Sequence, residues 1–340
     1  NIVASYFFGG ISGSASADTA SIGSIMIPMM VDQGYDADFS TAVTITSSCE
    51  GLLVPPSHNM VIYATTAGGI SVGSLFLAGY LPGALLAIVL MIGSYIISVK
   101  ENYPKGSPFT IKGFIKQLGT SIWALAAVVI VVFGVVGGVF TATESAAVAC
   151  VWAFIAGVFI YKEIKIADLI PILMKSAKSA AMILFIIAAS TAFSWVFTFS
   201  GASAALVQLV VSMNLNKTLF CLVVAIILLI FGTFMEGTAI AVLLVPVLWP
   251  IAESMGINVI HFGMILCISN VIGTMTPPVA VNIFSAVQVT RSVRELKIGE
   301  ISKAEIPFFI GYVAVFFLCV FSETCLLYTS DAADDRISVD

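Results

Sequence analysis

Charge is what this chain has least of. Asp, Glu, Lys and Arg make up 10% of its 340 residues, against about 25% in a soluble domain. With 59% hydrophobic residues and a mean hydropathy of +1.09, that scarcity excludes an ordinary soluble fold. Alternation of apolar and polar residues is also missing, which excludes a transmembrane β-barrel and its ~10-residue alternating segments. The six cysteines, Cys49, Cys150, Cys221, Cys267, Cys319 and Cys325, lack metal-type spacing and read as small buried hydrophobes. What is present is a series of long apolar runs, 75–99, 119–140, 144–161, 178–199 and 306–325. A helix of about 20 such residues crosses a bilayer, so the expected fold is an all-α polytopic membrane protein.

Basic residues are absent from loops 64–74 and 200–216 and gathered elsewhere. Lys100, Lys105, Lys112 and Lys116 lie in one polar stretch, Lys162, Lys165, Lys175 and Lys178 in a second, and Arg291, Arg294, Lys297 and Lys303 in a third. Because positive loops stay on the cytoplasmic side, the three basic stretches are read as cytoplasmic and the two uncharged loops as extracytoplasmic. Segment 291–305, which also holds Glu295 and Glu300, reads as an amphipathic helix on that cytoplasmic surface.

The chain repeats itself at a spacing of 222 residues: Gly10 pairs with Gly232, Pro28 with Pro250, Gly34 with Gly256, Ser47 with Ser269, Gly51 with Gly273, and Pro55-Pro56 with Pro277-Pro278. Each copy has an apolar stretch broken by small polar residues, followed by a span interrupted at Pro-Pro. In the first copy these are 1–31, broken at Ser12-Gly13-Ser14, and 39–63; in the second, 218–252, broken at Glu236-Gly237-Thr238, and 262–289. The broken stretches suit re-entrant helical hairpins, and the prolines unwind the spans. Unwound backbone at membrane depth is tolerated where it lines a cavity or is buried in protein. If hairpin 1–31 returns to its own side, five crossings separate it from the second hairpin, so the copies are expected to be inverted. On this reading 1–118 is the first repeat, with span 75–99, and 119–325 the second, with scaffold spans 119–199 and span 306–325. The tail 326–340, LLYTSDAADDRISVD, differs from all before it and reads as non-native.

Paired broken helices point to a midplane site in secondary transporters. Half-helix N-termini aim N–H groups at anions, while hydroxyls and freed carbonyls suit a hard cation. Candidate substrate- and ion-binding residues are Ser12, Gly13, Ser14, Asp18, Ser47, Ser48, Glu50 and Gly51 in the first copy, and Glu236, Gly237, Thr238, Asn270, Gly273, Thr274 and Thr276 in the second. The bland alternative for the hydroxyls is bonding back to a carbonyl one turn earlier. Intramembrane carboxylates are functional candidates because they are costly to bury, although Asp18 and Glu144 are equally readable as helix caps; T-A-T-E (141–144) fits an N-cap with a first-turn acid. His58 and His261 read as polar packing partners, and Trp123, Trp152, Trp195 and Trp249 as anchors or packing residues.

The segments G-G-I-S-G-S-A-S-A-D-T-A-S-I-G-S-I-M-I-P-M-M (9–30), S-S-C-E-G-L-L-V-P-P-S (47–57), G-G-V-F-T-A-T-E-S-A-A-V-A (137–149) and G-T-M-T-P-P-V-A-V-N (273–282) resemble, in order, landmarks of the large membrane subunit of tripartite ATP-independent periplasmic (TRAP) transporters, the DctM type. The resemblance covers 1–325 and implies an elevator-type importer of organic acids (C4-dicarboxylate, sialic acid or sugar-acid type) in the bacterial inner membrane. It implies Na+ as coupling ion, held by Ser12, Ser14, Ser48, Thr238, Asn270 and Thr276, a periplasmic solute-binding protein as donor, and a small four-helix DctQ-type subunit as partner. Members of the family begin with further N-terminal spans. Histidine at 58 departs from the apolar residue many relatives carry. Three other readings stand beside this one, of which a passive channel is the least specific. Another is a stand-alone Na+-coupled carboxylate carrier. The third is a rhomboid-like protease built on Gly10-Ile11-Ser12-Gly13, with His58 or His261 as base; it is weakened by Phe234 at the position equivalent to Ser12.

Overall fold

The computed structural model describes residues 1–322 except 69, 105–109, 202–204, 206, 209, 211, 213–214 and 292. Lys105 and the tail 326–340 lie outside the described residues. The described chain is helical, with no strand among the described residues. The helices are α1 Ile2–Ser12, α2 Ala15–Asp32, α3 Ala37–Glu50, α4 His58–Ala67, α5 Val72–Lys100, α6 Ile111–Val136, α7 Ala142–Ile155 with a π-helical turn Ala156–Ile160, α8 Ile166–Phe199, α9 Lys217–Gly232, α10 Gly237–Ser254, α11 Val259–Thr274, α12 Val281–Thr290 and α13 Ile298–Phe321. Among the described residues, six helical stretches are long and apolar enough to cross a membrane: α5, Leu118–Val136, Ala142–Ile160, Ile166–Phe193, α10 and α13. The protein is an all-α, multi-pass membrane protein.

Helix starts are set by polar side chains that satisfy first-turn N–H groups. Ser14 accepts from Ala17 N at 3.5 Å, Ser71 from Ser74 N at 3.2 Å, Asn216 from Leu219 N at 2.7 Å and Asn258 from Ile260 N at 2.8 Å. The same offset of 222 separates the starts of α2 and α10, both 18 residues long. It also separates the starts of α3 and α11 and two turn glycines with positive φ, Gly34 and Gly256. The helices after the breaks, α4 and α12, are both 10 residues long, and both Pro-Pro bonds are cis.

The chain divides into two compact units, one of residues 1–105 with 194–340, the other of residues 106–193. In the first, α3 and α11 form the centre: nearly every side chain of both is buried, although α3 is rich in Ser and Thr. It tolerates this because Ser40, Thr41, Thr44 and Thr46 each donate to the carbonyl four residues back, at 2.6–2.8 Å, which satisfies most of its hydroxyl protons within the helix. In the second unit α6 packs on α7. Trp152 Nε1 donates to the Trp123 carbonyl at 2.8 Å with the two rings 5.8 Å apart, and most apolar side chains of this unit face outward.

Three local expectations are corrected. Lys175 and Lys178 lie inside α8, not in a loop; the helix starts at Ile166 because Asp168 accepts from Lys165 N at 3.0 Å and places an acid on the positive helix end. α6 likewise begins at Ile111, so Lys112 and Lys116 are helical. Segment 291–305 is not a separate surface helix, since α13 starts at Ile298, where Glu300 accepts from Lys297 N at 2.9 Å, and runs on through Pro307 into the apolar span.

Candidate functional site

In both copies the first helix of the hairpin crosses the broken helix backbone to backbone. A Cβ on Gly51 would lie 2.7 Å from Gly9 Cα, and one on Gly273 would lie 2.6 Å from Gly232 Cα. No side chain fits there, so Gly51 and Gly273 are present for close approach. The first crossing uses Gly9, one residue from the Gly10 of the sequence pairing. Each tip is then tied to the helix that follows the break. The His58 ring Nδ1 donates to the Gly13 carbonyl, and in the other copy Ala280 N donates to the Thr233 carbonyl at 3.1 Å. His58 and Ala280 are equivalent at the 222 spacing. Because the imidazole is engaged at Gly13, and Ser12 Oγ bonds locally to Ser14 O at 3.4 Å, no Ser12–His58 dyad forms. His261 bonds to the Cys319 carbonyl at 3.0 Å, far along the chain from Ser12.

The first copy gathers carboxylates. Asp18 sits fully buried in the first turn of α2, and neither of its oxygens has a hydrogen-bond partner. It faces Ser5 and Ser48, whose hydroxyls are also without partners. Asp18 is therefore not a cap; Ser14 fills that role. Glu50, the last residue of α3, is equally buried, with both oxygens unpartnered, and lies near enough to interact electrostatically with Asp18. Neither acid forms an ion pair with a described residue. Two buried carboxylates in one place are costly unless they are protonated or met by a counter-ion.

The second tip is faced by amides from both copies. Asn270 occupies the position equivalent to Ser48, and Asn59, from the first copy, is the second residue of α4. Both are fully buried, and all four of their amide atoms lack partners. The two amides flank Gly237, the first residue of α10: a Cβ there would lie 2.8 Å from Asn59 Nδ2 and closer still to Asn270 Nδ2. Glu236 holds the N-cap position without a side-chain cap bond, so the first-turn N–H groups of α10 remain available to an anion. A cavity of about 20 Å³ joins the two tips and the two breaks, with Ser14, His58, Asn59, Gly237, Thr274 and Asn282 among its walls. That is room for about one water. Asn282 Nδ2 donates to Cys49 Sγ at 3.0 Å and to Thr274 Oγ1 at 3.1 Å, linking the two copies through the centre.

The remaining candidates divide. Thr238 is buried in the first turn of α10, beside the amides. Ser47, Thr274 and Thr276 donate to carbonyls three or four residues back, at 3.1, 2.8 and 2.6 Å, as the bland alternative supposes; their oxygens keep lone pairs. Thr276 lines a different cavity. Glu144 forms a capping box with Thr141, whose N–H it accepts at 2.8 Å. Sequence reasoning missed Asn59 and Asn282, although the signal existed: each is the second residue of the helix after Pro-Pro. It also missed Ser5 and Glu305, which carry no pattern at all.

A helical multi-pass protein whose buried, unpartnered polar groups converge on paired helix breaks is of the class of secondary transporters, not an enzyme. The chain matches the family described as "Tripartite ATP-independent periplasmic transporter, DctM component" over residues 1–324, and it belongs to that family. It is 36% identical to the C4-dicarboxylate TRAP transporter large permease protein DctM of Pseudomonas aeruginosa, over 90% of this chain and 70% of that protein. It is 35% identical to the isethionate TRAP transporter permease protein DctMQ of Oleidesulfovibrio alaskensis, over 93% and 49%. It is 33% identical to the sialic acid TRAP transporter large permease protein SiaM of Vibrio cholerae, over 96% and 76%.

Proposed function

We propose that this chain carries an organic acid across the bacterial inner membrane together with Na+, as the large permease of a three-part importer. The observation that carries this reading is the division of chemistry between the two hairpin regions. Beside the first stand two partnerless buried carboxylates, Asp18 and Glu50, with Ser5 and Ser48, an oxygen set that suits a hard cation. At the uncapped helix start of the second stand two partnerless amides, Asn270 of the second copy and Asn59 facing it from the first, which suits a substrate carboxylate. Occupying one half with Na+ and the other with an anion removes the electrostatic burden of each. Ser12, Ser14, Thr238 and Thr276 are the further oxygens available to the ion.

The two hairpins, α1–α2 and α9–α10, enter from opposite faces as inverted repeats. They move as one body past a scaffold in an elevator step. A periplasmic binding protein delivers the substrate and a small permease subunit braces the scaffold; the fused naming of the DctMQ relative supports the second partnership. The relatives' names support C4-dicarboxylates, isethionate and sialic acid as the substrates to try first.

The test is uptake of radiolabelled succinate, isethionate and sialic acid into proteoliposomes holding this chain with its small subunit, with the binding protein added outside. At least one substrate accumulates when Na+ is high outside and stops when the gradient is collapsed. Uptake indifferent to the Na+ gradient would overturn the coupling, and uptake without the binding protein at full rate would favour a stand-alone carrier.

A further inference from the structure

A second cavity, of about 300 Å³, opens beside the Pro277-Pro278 break, between Met275–Pro277 and the first turns of α13. Its walls are mainly apolar, from Met275, Ile306 and Phe309. The architecture does not force this space. In the first copy, Gly79 and Gly83 of α5 close on the equivalent stretch: Cβ atoms added there would lie 2.7 Å from the Leu53 carbonyl oxygen and 2.9 Å from Val54 Cγ2.

The polar residues that line it are Thr276, Ser302, Lys303 and Glu305; apart from the exposed Lys303 side chain, they offer acceptors. Glu305 is 3% exposed, and its Oε1 is buried with no hydrogen-bond partner. Ser302 and Thr276 spend their protons on the Ile298 and Ile272 carbonyls, at 2.9 and 2.6 Å, leaving oxygen lone pairs. Pro307 has no N–H, so the Lys303 carbonyl one turn earlier loses its intrahelical donor. Lys303 itself does not neutralise Glu305; residues two apart on a helix do not face each other, and no ion pair joins them. Glu305 lies about 10 Å along α13 from its start, at a rise of about 1.5 Å per residue, close to the end that carries the basic loop. Ile306, one residue further on, is 54% exposed.

A carboxylate, hydroxyl oxygens and a freed carbonyl against an apolar wall complement a group with several N–H donors and an apolar body. A primary ammonium has three donors and no acceptor. We propose that this cavity binds a primary ammonium group on an apolar body, with the ammonium on Glu305 and the Lys303 carbonyl and the body along Ile306 and Phe309. Two sources offer that chemistry: an amine-headed lipid of the surrounding bilayer, or a free amphipathic amine.

The experiment places the purified protein in nanodiscs containing equal phosphatidylethanolamine and phosphatidylcholine, whose quaternary headgroup has no N–H, and reads retained lipid by native mass spectrometry. Wild type is expected to retain phosphatidylethanolamine over phosphatidylcholine by about tenfold or more, the size of a charge-assisted hydrogen bond. Glu305→Gln brings the ratio to within about twofold, and Pro307→Ala, which returns an N–H to the Lys303 carbonyl, lowers it about threefold. A parallel arm titrates hexylamine into phosphatidylcholine-only nanodiscs. Binding of hexylamine that Glu305→Gln abolishes, with no lipid preference, assigns the site to a free amine. Gel filtration and circular dichroism show that both variants are folded. No preference for either amine in wild type, or a preference unchanged in both folded variants, overturns the proposal.

Discussion

The two copies of the hairpin-and-break share their backbone and differ in their charge. α2 and α10 have the same length, as do α4 and α12, and both crossings depend on glycine meeting glycine. Where the first copy places Asp18, Glu50 and Ser48, the second places Ile240, Ile272 and Asn270 at the 222 spacing. A duplicated frame supplies two equivalent positions at membrane depth. The side chains that distinguish the two positions are ones the frame does not specify.

The comparison is most sharply broken by removing charge from the first copy. Asp18→Asn keeps the shape and removes the carboxylate; Na+-driven uptake is expected to fall about a hundredfold, the equivalent of about 2.7 kcal/mol of ion binding, and raising external Na+ should restore part of it. If the halves are as distinct as proposed, Asn270→Ala acts differently. It should raise the substrate KM about tenfold, the value of one or two hydrogen bonds to a charged group, while the Na+ dependence keeps its midpoint. A variant at either position that moves both midpoints equally would merge the two halves into one site.

The shared frame is tested by Gly51→Ala and Gly273→Ala. Each added methyl meets backbone at 2.7 or 2.6 Å, so both should destabilise by about 1–3 kcal/mol, read as a lower Tm in detergent, and by similar amounts. A large drop for one and none for the other would show that the crossings are not equivalent. The smallest effect is expected from His58→Ala, which removes a latch that the second copy makes with backbone instead. It should cost about 1 kcal/mol and show as faster labelling of a cysteine placed at Ser14, with no matching change at the second tip.

Much of this frame is legible in the amino-acid sequence. Pro, Gly and helix-capping residues act locally, so breaks at Ser12–Ser14, Pro55-Pro56 and Pro277-Pro278 follow from residue type alone; the break expected at Glu236–Thr238 falls at 233–236 instead, because Glu236 is the N-cap and Gly237 and Thr238 start α10. Helix starts were harder. α8 begins at Ile166 because of one Asp168 side chain, and a pattern that weighs apolarity starts the span twelve residues later, at Lys178. The site was legible only where its residues sit at a break. Asn59 and Asn282 gain their meaning from what they face across the molecule: Gly237 for the first, Cys49 for the second. Glu305 sits in an otherwise ordinary stretch of α13. That its carboxylate is buried and unpartnered follows from packing against the second break, which no local pattern encodes.

The central claim is that the first copy is a sodium site. Binding of 22Na+ to the purified, lipid-reconstituted protein, followed by scintillation proximity, tests it without knowledge of the substrate. Wild type should show saturable binding displaced by unlabelled Na+ and not by K+, and Asp18→Asn should abolish it while Asn270→Ala leaves it in place. Binding retained in Asp18→Asn, or lost only in Asn270→Ala, would contradict the account.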